Sequence, residues 1–234
     1  MPDHPGTPVP GWVPPPRPAP VSHIGRHGRL DPLVPAHAAA LHAAAAGHDA
    51  LWDFMPYGPF DTAGRAAWVA AVAGRPDPLF LALTAAGAAG PAGVMSLMRI
   101  TPEAGSIEVG HICLAPPLQR SAAATEAIFL LADWAFGAGY RRFEWKCDAL
   151  NLPSRRAAQR LGFAWEGIFR QAAVVKGRNR DTAWFAMTDG DFRRLRPAYA
   201  RWLDPANFDA QGRQRARLSD LTAPHLFARD PALA

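Results

Sequence analysis

The chain has 234 residues, 49% of them apolar, which gives enough material for one sizeable domain and fits a soluble globular protein. No apolar run reaches the roughly 18 residues of a membrane span, and the N-terminus lacks the apolar core of a secretion signal, so a cytoplasmic protein with no membrane partner is expected. Two cysteines, Cys113 and Cys147, without a CxxC pairing, support neither a disulfide framework nor a zinc site, so no metal is expected.

The net charge is +5, and its placement is uneven: residues 1–140 carry 7 basic and 10 acidic side chains, residues 141–234 carry 18 and 10. The second half could attract a polyanion or the phosphates of a cofactor. No basic stripe interleaved with aromatics accompanies it, so nucleic acid is not expected as a partner.

Residues 1–22 form a proline-rich N-terminal segment, with nine prolines among the first 20 residues. It is expected to lie extended or disordered, or to strap across the domain with Trp12 as an anchor. Residues 32–55 are rich in Ala and Leu and read as helices; His37, His42 and His48 between them lack metal-binding spacing. Residues 53–60 are a turn-rich aromatic loop, and Asp61-Thr62 can cap a helix running through Trp68, Val69 and Val72, with Pro76 to Pro78 ending it. Residues 79–84, 92–100 and 107–114 read as strands. An apolar helix follows at 123–136, then a strand at 142–147. A short helix at 151–161 has Asn151 as its N-cap, Pro153 in its first turn and Gly162 at its end. Two more strands at 163–169 and 182–187 flank a turn region at Lys176-Gly177-Arg178-Asn179.

This order mixes an antiparallel meander with one short parallel crossover, which predicts an α+β (mixed α/β) fold built on one sheet. A domain over 23–190 is expected, with residues 191–234, carrying Trp202, Phe208 and Phe227, as a C-terminal extension packed on or beside it.

The stretch Leu118-Gln119-Arg120-Ser121-Ala122-Ala123-Ala124-Thr125-Glu126-Ala127 joins a strand to a helix through a small-residue turn. Free N–H groups and the helix dipole at such a point suit a phosphate or diphosphate, and small side chains let the anion reach the backbone. Gln119 to Ala124 resembles the Q/R-x-x-G-x-G/A loop of the GNAT superfamily of acyl-CoA-dependent N-acyltransferases. Thr125-Glu126-Ala127, Glu108-Val109-Gly110, Asn151-Leu152-Pro153-Ser154, Arg160-Leu161-Gly162-Phe163 and Glu166-Gly167 are similar, in order, to motifs of its RimJ/RimL-like branch. The resemblance spans roughly residues 60–190 and extends to a bacterial and fungal subgroup of that branch. Two departures stand out. Ala122 occupies the position of the family's first loop glycine, which alanine tolerates only if φ is negative there, as at a helix start. Ala157 and Ala158 stand where many members carry a tyrosine that protonates the leaving thiolate.

The resemblance implies a sheet with a splayed strand pair, acetyl-CoA as co-substrate, and transfer of an acetyl group through a tetrahedral intermediate to a primary amine. The amine would belong to a protein N-terminus, an amino acid or another small molecule, and the enzyme would be a monomer or homodimer. Gln119, Arg120, Ser121, Ala122, Ala123, Ala124 and Thr125 would then hold the diphosphate, with Arg120 either a contact or a solvated loop residue. Cys113 and Leu114 would pair with the pantetheine arm, and the Leu114 N–H would polarise the thioester carbonyl. Asn151 reads both as a cap and as a pantetheine contact. Ser154 reads as a donor to the departing thiolate or as a locally bonded helix-start serine. Glu108, Glu144 and His111, in that order, are the candidate bases, beside a water chain that needs no side chain. Strict strand alternation would put Glu108 and His111 on opposite faces. The aromatic loop reads either as a wall of the acceptor pocket or as a core plug. A coenzyme A-binding module without transfer activity is the competing reading.

Overall fold

Near-continuous buried runs at 79–84 and 93–97 give two of the central strands, and the computed structural model describes residues 6–233. In chain order the elements are β1 (His23–Ile24), β2 (Gly28–Pro32), α1 (Ala38–Ala45), α2 (Thr62–Val72), β3 (Leu79–Ala85), β4 (Gly93–Thr101), β5 (Ser106–Leu114), α3 (Ala122–Gly137), β6 (Arg142–Asp148), α4 (Leu152–Arg160), β7 (Ala164–Val175), β8 (Arg178–Thr188), α5 (Asp189–Leu203) and α6 (Leu218–Thr222). The strands form one sheet in the order β1-β2-β3-β4-β5-β6-β8-β7. Every pairing is antiparallel except β5 with β6, so the fold is mixed α/β with a mostly antiparallel open sheet.

The sheet separates two apolar layers. The larger joins Leu81, Met95, Val109, Phe143, Phe163 and Phe185 to Ala127, Leu131 and Ala135 of α3 and to Leu195, Tyr199 and Trp202 of α5. The smaller sets Phe80, Ala82, Val94 and Cys113 against Leu41 of α1 and Val69 of α2. Residues 191–203 therefore contribute side chains to the main core.

Several local features follow from single residues. Asp61 caps α2 by accepting the Gly64 N–H at 2.7 Å. Tyr140 donates its hydroxyl to the Pro16 carbonyl at 3.1 Å, and the Arg141 guanidinium lies 6.0 Å from the Trp12 ring. The proline-rich segment thus runs as a strap over the domain across residues 6–22; residues 1–5 lie outside the described part.

Three features differ from expectation. Strands β1 and β2 precede the helices, because Gly28–Pro32 pairs with β3 and His23–Ile24 pairs in turn with β2. Their shortness and Gly/Pro content hide the period-two signal. The hairpin β7–β8 turns at Lys176-Gly177 alone and is far longer than the apolar runs suggest, since its outer half is solvent-exposed and carries no burial pattern. Finally, β5 does not alternate strictly, as described next.

Candidate functional site

Strands β5 and β6 pair from Ser106↔Arg142 to Val109↔Trp145 and no further. Beyond that point Gly110–Leu114 and Lys146–Asp148 part, leaving backbone edges open inside the sheet. A bulge drives the divergence. Against β4, Val94 faces Cys113 and Ser96 faces Gly110, so His111 and Ile112 together oppose Met95, with His111 at φ 50°. One extra residue bends the strand and resets its alternation. The expectation that Glu108 and His111 lie on opposite faces is therefore corrected. His111 packs on Phe80, whose layer also holds Cys113, while Ile107 and Val109 point to the other layer.

The α3 N-terminus abuts the end of β5. Ser121 is its cap: Oγ accepts the Ala124 N–H at 3.1 Å and donates to the Leu118 carbonyl at 2.7 Å. That leaves the N–H groups of Ala122 and Ala123 without intrahelical acceptors at the positive end of the dipole. Ala122 is the first helical residue and is not left-handed; the left-handed residue is Arg120, at φ 56°. The small side chain at 122 is thus compatible with the turn, and the strain sits two residues earlier. Gln119 Nε2 donates to the Leu114 carbonyl at 3.0 Å, tying the loop to the strand end. Arg160 Nη1 donates to Thr125 Oγ1 at 3.1 Å, with its guanidinium 5.3 Å from the Trp202 ring. Arg160 brings a cation to the first turns of α3 from a distant helix, a role no local pattern announces.

Glu126 has a structural task. Its carboxylate accepts the N–H groups of Arg26 and His27 at 2.9 and 2.6 Å, closing the β1–β2 turn. A Cβ on Gly25 would lie 2.2 Å from Glu126 Oε2, so a larger residue there would have to push the carboxylate off these N–H groups.

At the α4 N-terminus Asn151 Oδ1 accepts the Ser154 N–H at 3.1 Å. The cap uses the oxygen, leaving the amide nitrogen for another partner. Asp148 Oδ1 accepts the Leu150 N–H at 2.8 Å. Trp145 Nε1 donates to Ser154 Oγ at 3.1 Å, so the serine's own O–H is left to donate elsewhere. Burial pushes the Cys113 and Cys147 thiols up to about 11, with Arg65 opposing the shift at Cys113 and Ser154 opposing it at Cys147. Neither is a thiolate at neutral pH.

On the other face a charge ladder crosses the splay. Glu108 accepts from Arg99 Nη1 at 2.7 Å and pairs with Lys146 at 3.0 Å. Glu144 pairs with Lys146 at 2.6 Å and with Arg142 Nε at 2.6 Å, and Arg142 also bonds Glu166. Lys146 Nζ sits 3.8 Å from the Trp184 ring centroid. Burial pushes the Glu144 carboxyl up, but its bonds to Arg142 and Lys146 outweigh that and hold it below the usual range. Both carboxylates are held in ion pairs.

His111 Nδ1 lies 3.1 Å from the Tyr57 hydroxyl. Burial, then the charges of Arg99 and Arg180, push its pKa down to about 4. The imidazole is neutral at pH 7. In the aromatic loop Trp52 is a buried core plug, as one of the two expectations had it, and Tyr57 stacks on His111 at the bulge. The hairpin tip touches the same loop, with Lys176 Nζ donating to the Trp52 carbonyl at 2.8 Å.

The structure thus brings the loop 119–125, the end of β5, Asn151 and Ser154 around one side of the splay. Glu108, Glu144 and His111 stand on the other side. Among the described residues no group of three or more His, Cys, Asp or Glu converges as a metal site, and no helix is long and apolar enough to cross a membrane.

Comparison with known proteins bears on this geometry. The family profile described as an acetyltransferase (GNAT) domain matches residues 29–164. A crystal structure of a GCN5-related N-acetyltransferase from Brucella melitensis is 42% identical, covers 92% of this chain and 100% of its own, and superposes with a TM-score of 0.89. A probable GNAT-family acetyltransferase from Chromobacterium violaceum is 40% identical over 82% of this chain and 99% of its own, with a TM-score of 0.76. RimL, a ribosomal L7/L12 α-N-protein acetyltransferase, shares the fold at 22% identity over 70% of this chain and 91% of its own, with a TM-score of 0.62. No curated protein matches the chain.

Proposed function

The chain belongs to the GNAT acetyltransferase family, and on that premise we propose that it is a cytoplasmic N-acetyltransferase, monomeric or homodimeric, using acetyl-CoA and a primary amine. The observation that carries this reading is the β5–β6 splay with the capped α3 N-terminus beside it. The residues fit a coenzyme A co-substrate: two free N–H groups, alanines at 122, 123 and 124, and Arg160 suit a diphosphate, and the open β5 edge suits an extended amide-bearing arm. Acetyl-CoA supplies the acetyl group as an activated thioester.

The protein's part is to bind, orient and move protons. The Leu114 N–H, on the open strand edge, polarises the carbonyl under attack as the tetrahedral intermediate forms. Asn151 Nδ2 steadies the pantetheine arm while Oδ1 keeps the cap. Ser154, with Oγ already accepting from Trp145, donates its O–H to the departing sulfur. A thiol leaves with a pKa of about 8.5, so this donation is a modest aid. Proton uptake from the amine falls to a water chain to solvent, since Glu108 and Glu144 are committed to Lys146, Arg99 and Arg142 and burial leaves His111 too weak a base to hold the proton.

The test is release of free thiol from acetyl-CoA against a panel of amino acids, polyamines and short peptides, with product mass read in parallel. Amine-dependent release with one acetyl group gained on nitrogen supports the reading. Tight coenzyme A binding with no release for any amine would leave a binding module instead.

A further inference from the structure

Between α1 and α2 lies a cavity of about 180 Å³ lined by, among others, His42, Ala46, Asp49, Trp52, Phe60 and Arg65. Arg65 is 3% exposed. Its guanidinium carbon lies 5.2, 5.7 and 5.0 Å from the ring centroids of Trp52, Phe60 and Trp68. Among the described residues no carboxylate oxygen approaches its nitrogens within 4.0 Å, and Nε and Nη1 are buried without any hydrogen-bond partner. Ring faces stabilise a cation through their quadrupoles, but they cannot accept the in-plane N–H bonds of the guanidinium edge. A buried charge lacking a counter-charge and acceptors is costly, and structures keep such a group where something neutralises it. Water would supply acceptors but no charge.

We propose that Arg65 and this cavity form a binding site for a small carboxylate. The planar fork of N–H groups matches the two oxygens of a carboxylate once the guanidinium turns its buried Nε–Nη1 edge to the cavity, and the aromatic collar suits a short apolar tail. At about 30 Å³ per water-sized group, the space holds about six heavy atoms. The carboxylate is either an arm of the acceptor amine or a separate small acid. The cavity adjoins the acetyl-transfer side through Phe60, which stacks on Tyr57, the partner of His111.

The experiment is a binding titration with propionate against its neutral isostere propionamide at matched ionic strength, read by thermal shift and calorimetry. It requires no acetyl transfer, so it fails or succeeds independently of the proposed activity. Propionate raises the melting temperature of the parent protein and propionamide does not. Arg65→Met weakens propionate by at least about tenfold, the loss expected for a charged hydrogen bond. Ala46→Leu, which adds bulk to the cavity lining and keeps Arg65, diminishes the shift, and Asp49→Asn, which removes a neighbouring negative charge, strengthens it. Propionate raising the KM of a carboxylate-bearing acceptor assigns the site to the acceptor; binding that leaves that KM unchanged assigns it to a free acid. Equal shifts from propionate and propionamide, or a propionate response undiminished in Ala46→Leu, would overturn the proposal.

Discussion

The Tyr57 hydroxyl lies 3.1 Å from His111 Nδ1, and the two rings stack 5.5 Å apart, so the loop between α1 and α2 is fastened to the bulge of β5. Burial drives the Tyr57 pKa up, keeping it a neutral phenol, and drives His111 down to about 4. Between pH 6.5 and 4 the unfolded chain therefore takes up a proton that the folded protein refuses. The stability held by neutral His111 is complete above about pH 6.5 and falls by about 3 kcal/mol on acidification through that window. His111→Gln should show a flatter fall between pH 7.5 and 4.5 in urea unfolding. Glu144 also loses stability in acid, but it is present in both proteins and cancels. Parallel pH profiles would refute the assignment.

Much of this site was readable in advance, and the gaps have physical causes. The helix start at Ala122, the Asn151 cap and the strand ends of β3 to β6 follow from local rules of capping and periodicity. The bulge at His111 does not, because nothing within β5 marks an extra residue; it is visible only against the register of β4. Glu108 and Glu144 illustrate the same limit. Their positions on neighbouring strands were legible, but Lys146 lies between them only because β6 runs parallel to β5 in that register. Arg160 beside Thr125 and Arg65 among three rings are long-range placements that a single-sequence pattern cannot carry.

Ala122 opens α3, where a negative side chain meets the positive end of the dipole. Ala122→Asp should therefore stabilise the protein by about 0.3–1 kcal/mol. The same carboxylate would repel the diphosphate, weakening coenzyme A by about tenfold or more. Opposite signs in unfolding and in calorimetric binding are the expected signature. Unchanged affinity would remove the cofactor from this corner.

Ser154 joins two roles that one substitution separates. Ser154→Ala leaves Trp145 Nε1 without its acceptor and should lower stability by about 1–2 kcal/mol. If its hydroxyl also assists the leaving thiolate, kcat falls by about tenfold while the KM for acetyl-CoA holds, and Ser154→Thr restores most of it. A kcat equal to that of the parent would restrict the residue to a structural part.

The Thr125-Glu126-Ala127 segment belongs to the resemblance, yet the carboxylate of Glu126 serves the β1–β2 turn rather than the cofactor. Glu126→Ala strands two N–H groups and should cost about 2–4 kcal/mol. Affinity for coenzyme A, measured on the folded protein, should be unaltered. A selective loss of affinity without a loss of stability would contradict this division.

Lys146 is the hinge of the charge ladder. Its side chain is 8% exposed and reaches Glu108 at 3.0 Å and Glu144 at 2.6 Å, two residues that face each other directly across β5 and β6. Lys146→Met leaves like charges opposed in a partly dry setting, with only Arg99 and Arg142 at their outer ends. Breaking such a pair costs about 3–5 kcal/mol at neutral pH. The sign of the pH dependence then reverses locally. One carboxyl of the opposed pair acquires a folded-state pKa above its unfolded value, so the deficit is largest above that pKa and shrinks as acid protonates it. Adding Glu144→Gln removes one of the opposed charges and should recover a large part of the loss at pH 7, giving a coupling well beyond additivity. A deficit independent of pH, or a double variant that behaves additively, would mean that Lys146 stabilises through its packing on Trp184 rather than through the two carboxylates.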